Sequence, residues 1–503
     1  MACFPSNVVW YGWMEFTPSL VHDSPTPLYR QLHDYFADRI RSGELGRGVR
    51  LPATRELAGL LGLNRTTVSA AYEMLESEGL ISGQVGRGSF VAAGTGPAGG
   101  VPWSALLERN ETPAPAHAGP PGKEVISFAM SRPSRELFPL DEFRASCQAV
   151  LARRDLADIL QLGSPSGYEP LRRHLLEDAR RQGLAGVGDD LIITNGCQQA
   201  LDLIGRVLLR PGDTVAVEDP VYTGLKHLLA GMGAELAGIP VGPDGLDVAH
   251  LARVLERERP RFLVVTPNFQ NPTGETLPLG ARRTLADAAR AAGVPVVEND
   301  AYCDLRYQGA PVAAIKQLDE SGGTVLLRSF SKVSFPGLRV GWAVGPRPLI
   351  DRLRQAKETA DLHTDQLSQA VLLEFAQSGR LEAHRRCVLE AGAERLAATL
   401  EACRQFLPPG TRWTRPQGGM NVWVRLPEPL DAGELLPRVQ KEGVDYLPGR
   451  YFAVSRLEPG ALRLSFAGLA PDQIRTGLAI LGRIVGGELA RASRGFEPAP
   501  AMV

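Results

Sequence analysis

Between about residue 124 and residue 491 the chain repeats one alternation: a short apolar run, then a stretch with apolar residues at helical spacing. Residues 190–194, 214–218, 262–266, 295–298 and 325–327 read as buried strands, and 198–209 and 279–292 as amphipathic helices between them. Strands that alternate with helices in this way pack as an α/β fold around a mostly parallel sheet. Such a sheet binds ligands outside the carboxyl ends of its strands. The residues that follow each run are therefore where chemistry is sought.

Polar motifs fall at those ends repeatedly. After the first run, Thr194-Asn195-Gly196-Cys197-Gln198-Gln199-Ala200 is a turn that opens a helix. Free amides at a helix start bind phosphate, which makes Gly196, Cys197 and Gln198 candidates. After the second, Asp219-Pro220-Val221-Tyr222 presents a ring able to stack on a planar cofactor. After the third, Asn268-Phe269-Gln270-Asn271-Pro272-Thr273-Gly274 offers Asn271 to a ring oxygen, and after the fourth, Glu298-Asn299-Asp300-Ala301-Tyr302 offers partners for a ring nitrogen and oxygen. Taken singly, each has an ordinary structural explanation: most glycine turns before helices bind nothing, and Tyr222 is as readily a core tyrosine.

The fifth run ends in Ser329-Phe330-Ser331-Lys332, with Arg339 seven residues beyond the lysine. Only Lys123, Lys226, Lys316, Lys332, Lys357 and Lys441 among the 55 Lys and Arg residues are lysines. Arginine cannot be deprotonated or form an imine, so lysine is the type that capture of an aldehyde requires. An amine beside Ser329, Ser331 and Arg339 suits a Schiff base to a phosphorylated aldehyde. Five motifs in succession, each at a strand end, define one site.

A different pattern lies upstream. Leu28, Leu32, Tyr35, Phe36 and Ile40 recur at helical spacing; Thr54 can cap a short helix carrying Arg55, Leu57, Leu60 and Leu61; and a second helix runs from Arg65 to about Glu78 after the turn Gly62-Leu63-Asn64. This is a helix-turn-helix arrangement, whose second helix opens with Arg65-Thr66-Thr67, where base edges and phosphates are met. Two strand-like stretches then flank Gln84-Val85-Gly86-Arg87-Gly88, a hairpin with Arg87 at its tip. Residues 24–92 hold eight arginines against seven acidic residues, so placement rather than net charge carries the DNA-binding reading. Arg55, Arg65 and Arg87 stand at helix starts and the hairpin tip, while Glu73, Glu76 and Glu78 lie late in the second helix.

The expected organisation is a tail over 1–23, this module over 24–93, a Gly/Ala/Pro-rich linker over 94–123, the α/β domain over 124–490 and a second tail over 491–503. A linker of that length spans roughly 100 Å when extended. The aromatic cluster Trp10, Tyr11, Trp13 and Phe16 leaves the first segment open between a docked piece and an untidy start. Six scattered cysteines without metal spacing, no membrane-length apolar run and no signal sequence point to a cytoplasmic protein with no metal site.

Residues 24–92 closely resemble the winged helix-turn-helix of GntR-family transcription regulators, through Leu51-Pro52-Ala53-Thr54-Arg55-Glu56-Leu57-Ala58, Asn64-Arg65-Thr66-Thr67-Val68, Leu75-Glu76-Ser77-Glu78-Gly79-Leu80 and Gly86-Arg87-Gly88-Ser89-Phe90-Val91. Residues from about 125 to 490 resemble a fold-type I aminotransferase domain, through Asn271-Pro272-Thr273-Gly274 and the stretch from Ser329 to Gly341. That second resemblance implies pyridoxal 5′-phosphate (PLP) as cofactor, with Lys332 carrying the internal aldimine. Ser329, Ser331, Arg339 and the amides of Cys197 and Gln198 would hold the phosphate, Tyr222 would stack on the pyridine, and Asn271 and Tyr302 would bond its phenolic oxygen. Arg463 matches the arginine that clamps a substrate α-carboxylate, with a structural ion pair as its alternative. One departure stands out: the aspartate that keeps the pyridine nitrogen protonated is Asn299 here, unless Asp300 takes its place. A neutral ring is a poorer electron sink. Together the two domains resemble the MocR subfamily of GntR regulators. The resemblance implies a homodimer that binds a double-stranded operator and responds to PLP or an amino-acid-like effector. The alternative is an active aminotransferase with a DNA-binding appendage.

Overall fold

The computed structural model describes residues 26–46, 48–84, 88–92 and 125–494, with strands 9–11 and 14–16 and a few residues between them and 26. Arg87 and the whole expected linker lie outside the described residues. The chain divides into two compact units, Met1–Ala114 and Pro115–Val503.

In the first unit, α1 (Leu28–Arg41), α2 (Thr54–Leu61) and α3 (Arg65–Ser77) precede an antiparallel hairpin of β1 (Ile81–Gln84) and β2 (Gly88–Val91). Leu32, Phe36 and Ile40 of α1 pack with Leu57 of α2 and Val68, Tyr72 and Leu75 of α3. Each fully buried aliphatic or aromatic side chain contributes about 1.5–3 kcal/mol, which lets three short helices hold one another where none would be stable alone. Thr54 does not cap α2 as expected. It is the first helical residue, and Ala53 occupies the cap with no side-chain bond. Asn64 caps α3, its side chain accepting from the Thr66 amide at 3.1 Å. Val9–Tyr11 and Met14–Phe16, in the aromatic N-terminal segment, pair as a two-stranded ribbon.

The second unit is built on an eight-stranded sheet. In chain order its parts are β3 (Asp189–Thr194), α4 (Cys197–Leu208), β4 (Thr214–Asp219), β5 (Glu235–Gly242), β6 (Leu263–Val265), α5 (Leu279–Ala292), β7 (Val296–Asn299), β8 (Thr324–Ser329), β9 (Gly341–Pro346) and α6 (Arg347–Asp361). Spatially the order is β3-β9-β8-β7-β6-β4-β5, closed by the two-residue strand Gly245–Leu246. All these pairings are parallel except those of β9 and of the short edge strand. β3, β6 and β7 are buried along their whole length, as strands covered on both faces must be. The antiparallel β9 is absent from the expected strands because its apolar residues follow the Ser329–Arg339 motif without a separating helix. It forms where Gly341 lets strand and turn meet: a Cβ there would stand 2.8 Å from the Gly196 Cα. A smaller antiparallel sheet carries β10 (Asn421–Arg425) beside β11 (Ala461–Ser465).

Candidate functional site: a lysine-bearing cavity and an exposed helix start

The carboxyl ends of β3, β4, β6, β7 and β8 open on a cavity of about 460 Å³. Its wall includes Cys197, Gln198, Tyr222, Asn271, Asn299, Tyr302, Ser329, Ser331, Lys332 and Arg339, together with Arg463 from β11. Every expected cofactor or effector residue except Gly196 and Asp300 is therefore in one wall.

Lys332 sits in a single 3-10 turn after β8. Its amine donates to the Ser131 carbonyl at 3.1 Å and stands 5.3 Å from the centre of the Tyr302 ring. Ser329 shapes this turn by accepting from the Ser331 amide at 2.9 Å and donating to the Ser331 hydroxyl at 2.8 Å. Arg339, in the left-handed region at φ 56, donates to the Asn195 carbonyl at 3.1 Å. That bond draws the guanidinium to the start of α4, where the first amides have no intrahelical partner. Gly196, at φ 80, is required there: a Cβ would lie 2.7 Å from Arg339 Nη2. Desolvation pushes the Cys197 thiol up to about 12, only partly offset by Lys332 and Arg339.

At another wall, Asn271 donates to the Tyr302 hydroxyl at 3.3 Å and accepts from Arg463 Nη1 at 3.0 Å. Arg463 also donates to the Ala129 carbonyl, and its Nε is buried without a partner. Burial pulls its guanidinium down to about 10, while Tyr302 and Tyr222 oppose the shift. Burial, and then the neighbouring Tyr302, raise the Tyr222 phenol.

Asn299 and Asp300 part company at the end of β7. Asn299 lines the cavity with its Oδ1 buried and unpartnered. Asp300 turns away, accepting from Asn268 at 2.7 Å and pairing with Arg328 at 3.2 Å. It is 1% exposed and absent from the cavity wall. The expectation that Asp300 contacts the cofactor is corrected accordingly, because its charge is already neutralised elsewhere. Sequence reasoning missed Met130, Ser131, Leu201, Thr223, Thr266, Ala301 and Leu447, which complete the wall. Ser131 belongs to a loop and Leu447 to a two-residue strand, and neither carries a strand-end motif.

In the first unit, Arg55, Asn64, Arg65 and Thr66 are exposed and Thr67 is half-buried. Asn64 uses its oxygen as the α3 cap, which leaves its amide N–H groups for an outside partner. Two of the three late glutamates are occupied within the module: Glu76 accepts from the Gly83 amide, and Glu78 pairs with Arg41. Part of the negative charge is thereby tied down away from the exposed start of α3.

Comparison with known proteins gives a family for each unit. Residues 139–481 match aminotransferase class I and II, and residues 28–91 match the gntR family of bacterial regulatory proteins. An aromatic-amino-acid aminotransferase of Thermococcus litoralis is 35% identical over 73% of this chain and 89% of its own length. The transcriptional regulator TauR of Rhodobacter capsulatus is 30% identical over 91% of this chain and 96% of its own. The crystal structure of the α-aminoadipate aminotransferase LysN of Thermus thermophilus, complexed with N-(5′-phosphopyridoxyl)-L-leucine, superposes with a TM-score of 0.68 at 38% identity, covering 73% of this chain and 93% of that one. The chain belongs to the aminotransferase class I and II family and, with the GntR domain ahead of it, to the MocR-type GntR regulators. It is a DNA-binding transcription regulator with pyridoxal 5′-phosphate as its cofactor.

The cavity suits that group. It offers an amine for the aldehyde, free amides with two hydroxyls and a guanidinium for the phosphate, and the Asn299 side-chain amide for a polar ring atom. Among the described residues no helix is long and apolar enough to cross a membrane, and no cluster of side chains suits a metal ion.

Proposed function

We propose that the aminotransferase-like domain serves as a sensor, reading PLP and an amino compound at Lys332, and that occupancy alters how the winged helices of a homodimer engage an operator. The observation that carries this reading is Asn299 in the cavity wall with Asp300 locked away on Arg328. When bound, the cofactor supplies an aldehyde that amines capture and a ring that can withdraw electrons. Lys332 is held by the Ser131 carbonyl at the mouth of that reaction. Ser329, Ser331, Arg339 and the amides of Cys197 and Gln198 receive the phosphate, Tyr222 covers the ring, and Asn271 and Tyr302 meet its oxygen. Asn299 can donate a hydrogen bond from its amide nitrogen to the neutral ring nitrogen but carries no charge to hold a proton there, which suits exchange of amines better than their conversion. Arg463 takes a carboxylate of the effector, with Met130 and Leu447 beside it in the wall.

For regulation, the effector must bind two arrangements of the dimer with different affinity. Arg55, Arg65, Thr66, Thr67, the Asn64 amide and Arg87 provide the DNA contacts, and the protein acts in the cytoplasm. Operator affinity measured with and without PLP, in the unmodified protein and in Lys332→Ala, tests the reading. A PLP-dependent change in affinity that disappears in the variant is the expected result. The same operator affinity under all conditions overturns it.

An active aminotransferase is the second reading, kept open by Lys332, Arg339 and Arg463 around one cavity. Sustained multiple-turnover amino transfer at enzyme-like rates across a panel of amino acids would favour it.

A further inference from the structure

The turn that opens α4 is gripped from outside the cavity. Gly196 at its cap has no side chain, so the cap residue itself makes no side-chain bond to the first turn of the helix. Instead, three polar groups of Asn195 are tied. Its amide donates to Gln199 Oε1 at 2.8 Å, its carbonyl accepts from Arg339 at 3.1 Å, and its side chain donates to Asp361 Oδ2 at 2.7 Å. Gln199 donates to the same Asp361 oxygen at 2.6 Å and accepts from Lys357 at 2.9 Å. Lys357 closes the network by donating to both Asp361 oxygens at 2.8 Å.

Two features of this network call for a reason beyond stability. Asp361 is the last residue of α6, where a carboxylate opposes the helix dipole. Lys357 is fully buried while Asp361 is half-buried, and burying the lysine's charge costs desolvation that offsets much of the pair's attraction. Such pairs are best used to impose one geometry. Here all three Lys357 protons have acceptors, and each acceptor is Asp361 or a residue that Asp361 holds. The geometry imposed is that of Asn195 to Gln199, which sets the Cys197 and Gln198 amides and the Arg339 guanidinium around one point. Neither Lys357 nor Asp361 lines the cavity.

We infer that Lys357 and Asp361 are positioning residues for the phosphate of the cofactor, acting through Asn195 and Gln199 on the anion-binding turn. The inference rests on the reading that this cavity takes PLP. It differs from a general structural role in one respect: the phosphate should feel the network, and the rest of the cofactor should not.

Titration of the cofactor-free full-length protein with PLP, and separately with pyridoxal, which lacks the phosphate, provides the test. The visible absorbance gained on binding reports both affinities. Asp361→Asn and Lys357→Met are expected to weaken PLP by about tenfold, the loss expected when groups that bind a charged ligand are misplaced. Pyridoxal affinity should stay within about twofold. Asn195→Ala, which cuts the link to Asp361 without leaving a buried charge unpaired, should weaken PLP in the same selective way even where circular dichroism shows the other two variants to be unfolded. Undiminished PLP affinity in folded variants, or equal losses for PLP and pyridoxal, overturns the inference. If the unmodified protein gains no visible absorbance with PLP, the parent reading falls first and the inference with it.

Discussion

The two ends of the cavity are held to different standards. At the start of α4 the amide, the carbonyl and the side-chain nitrogen of Asn195 all have partners, and Arg339 is drawn in by a bond to its carbonyl. At the end of β7 the Asn299 oxygen is buried with no protein partner at all, while the carboxylate next to it is neutralised by Arg328. A tightly organised anion end favours retention of a phosphate. A neutral and incompletely satisfied ring end withholds the charge that would sharpen the chemistry. On the proposed reading, the difference means that this chain would keep the means of holding the cofactor while lacking one means of activating it.

Mutations can break or sharpen that contrast. The largest effect is expected between the two ends: Lys332→Ala should abolish the visible band produced with PLP, and a band that persists unchanged would end the assignment. At the anion end, Arg339→Ala should weaken PLP by roughly 10–100-fold, the cost of one or two charge-assisted hydrogen bonds, with pyridoxal much less affected in the same titration. Arg65→Ala, in the other unit, should weaken operator binding by about tenfold in a gel-shift or anisotropy assay and leave the PLP spectrum untouched. Loss of both would mark misfolding rather than a lost contact. At the ring end, Asn299→Asp should raise amino-transfer turnover by about tenfold, equivalent to about 1.4 kcal/mol in the barrier, while PLP affinity changes little. An unchanged rate would mean that ring protonation is not what limits the domain. The smallest effect concerns Cys197. Its thiol, raised to about 12 by burial, stays neutral below that pH and brings no negative charge to the phosphate. PLP affinity should therefore show no Cys197-dependent change from pH 7 to 10, and Cys197→Ser should alter it by less than about twofold at either limit.

Much of the site could be read before the fold was in view, because its residues come in local phrases. Asn271, Tyr302, Ser329, Ser331 and Lys332 each follow an apolar run, and period and punctuation alone place them at strand ends. Helix 279–292 was legible to the residue for a similar reason: it begins after Pro278 and ends before Gly293, which caps it at φ 66. Other parts had no local signature. Ser131 receives the Lys332 amine across 201 positions of sequence, and Arg463 reaches Asn271 across 192. Lys357 and Asp361 read as an ordinary i,i+4 pair on a helix surface, and only the packing of α6 against α4 shows what they hold.

The sequence by itself determined the two-domain plan, the α/β class of the larger unit, and the lysine, hydroxyls and guanidinium that line its cavity. Each of these is encoded in short-range pattern, where spacing, glycine placement and residue type are sufficient. Only the tertiary structure decided between Asn299 and Asp300. The two are adjacent in the chain, and extended backbone at the end of β7 sends their side chains to opposite faces. Which face meets the cavity, and which meets Arg328, depends on the register of β7 between β6 and β8. That register is set by partners far away in sequence.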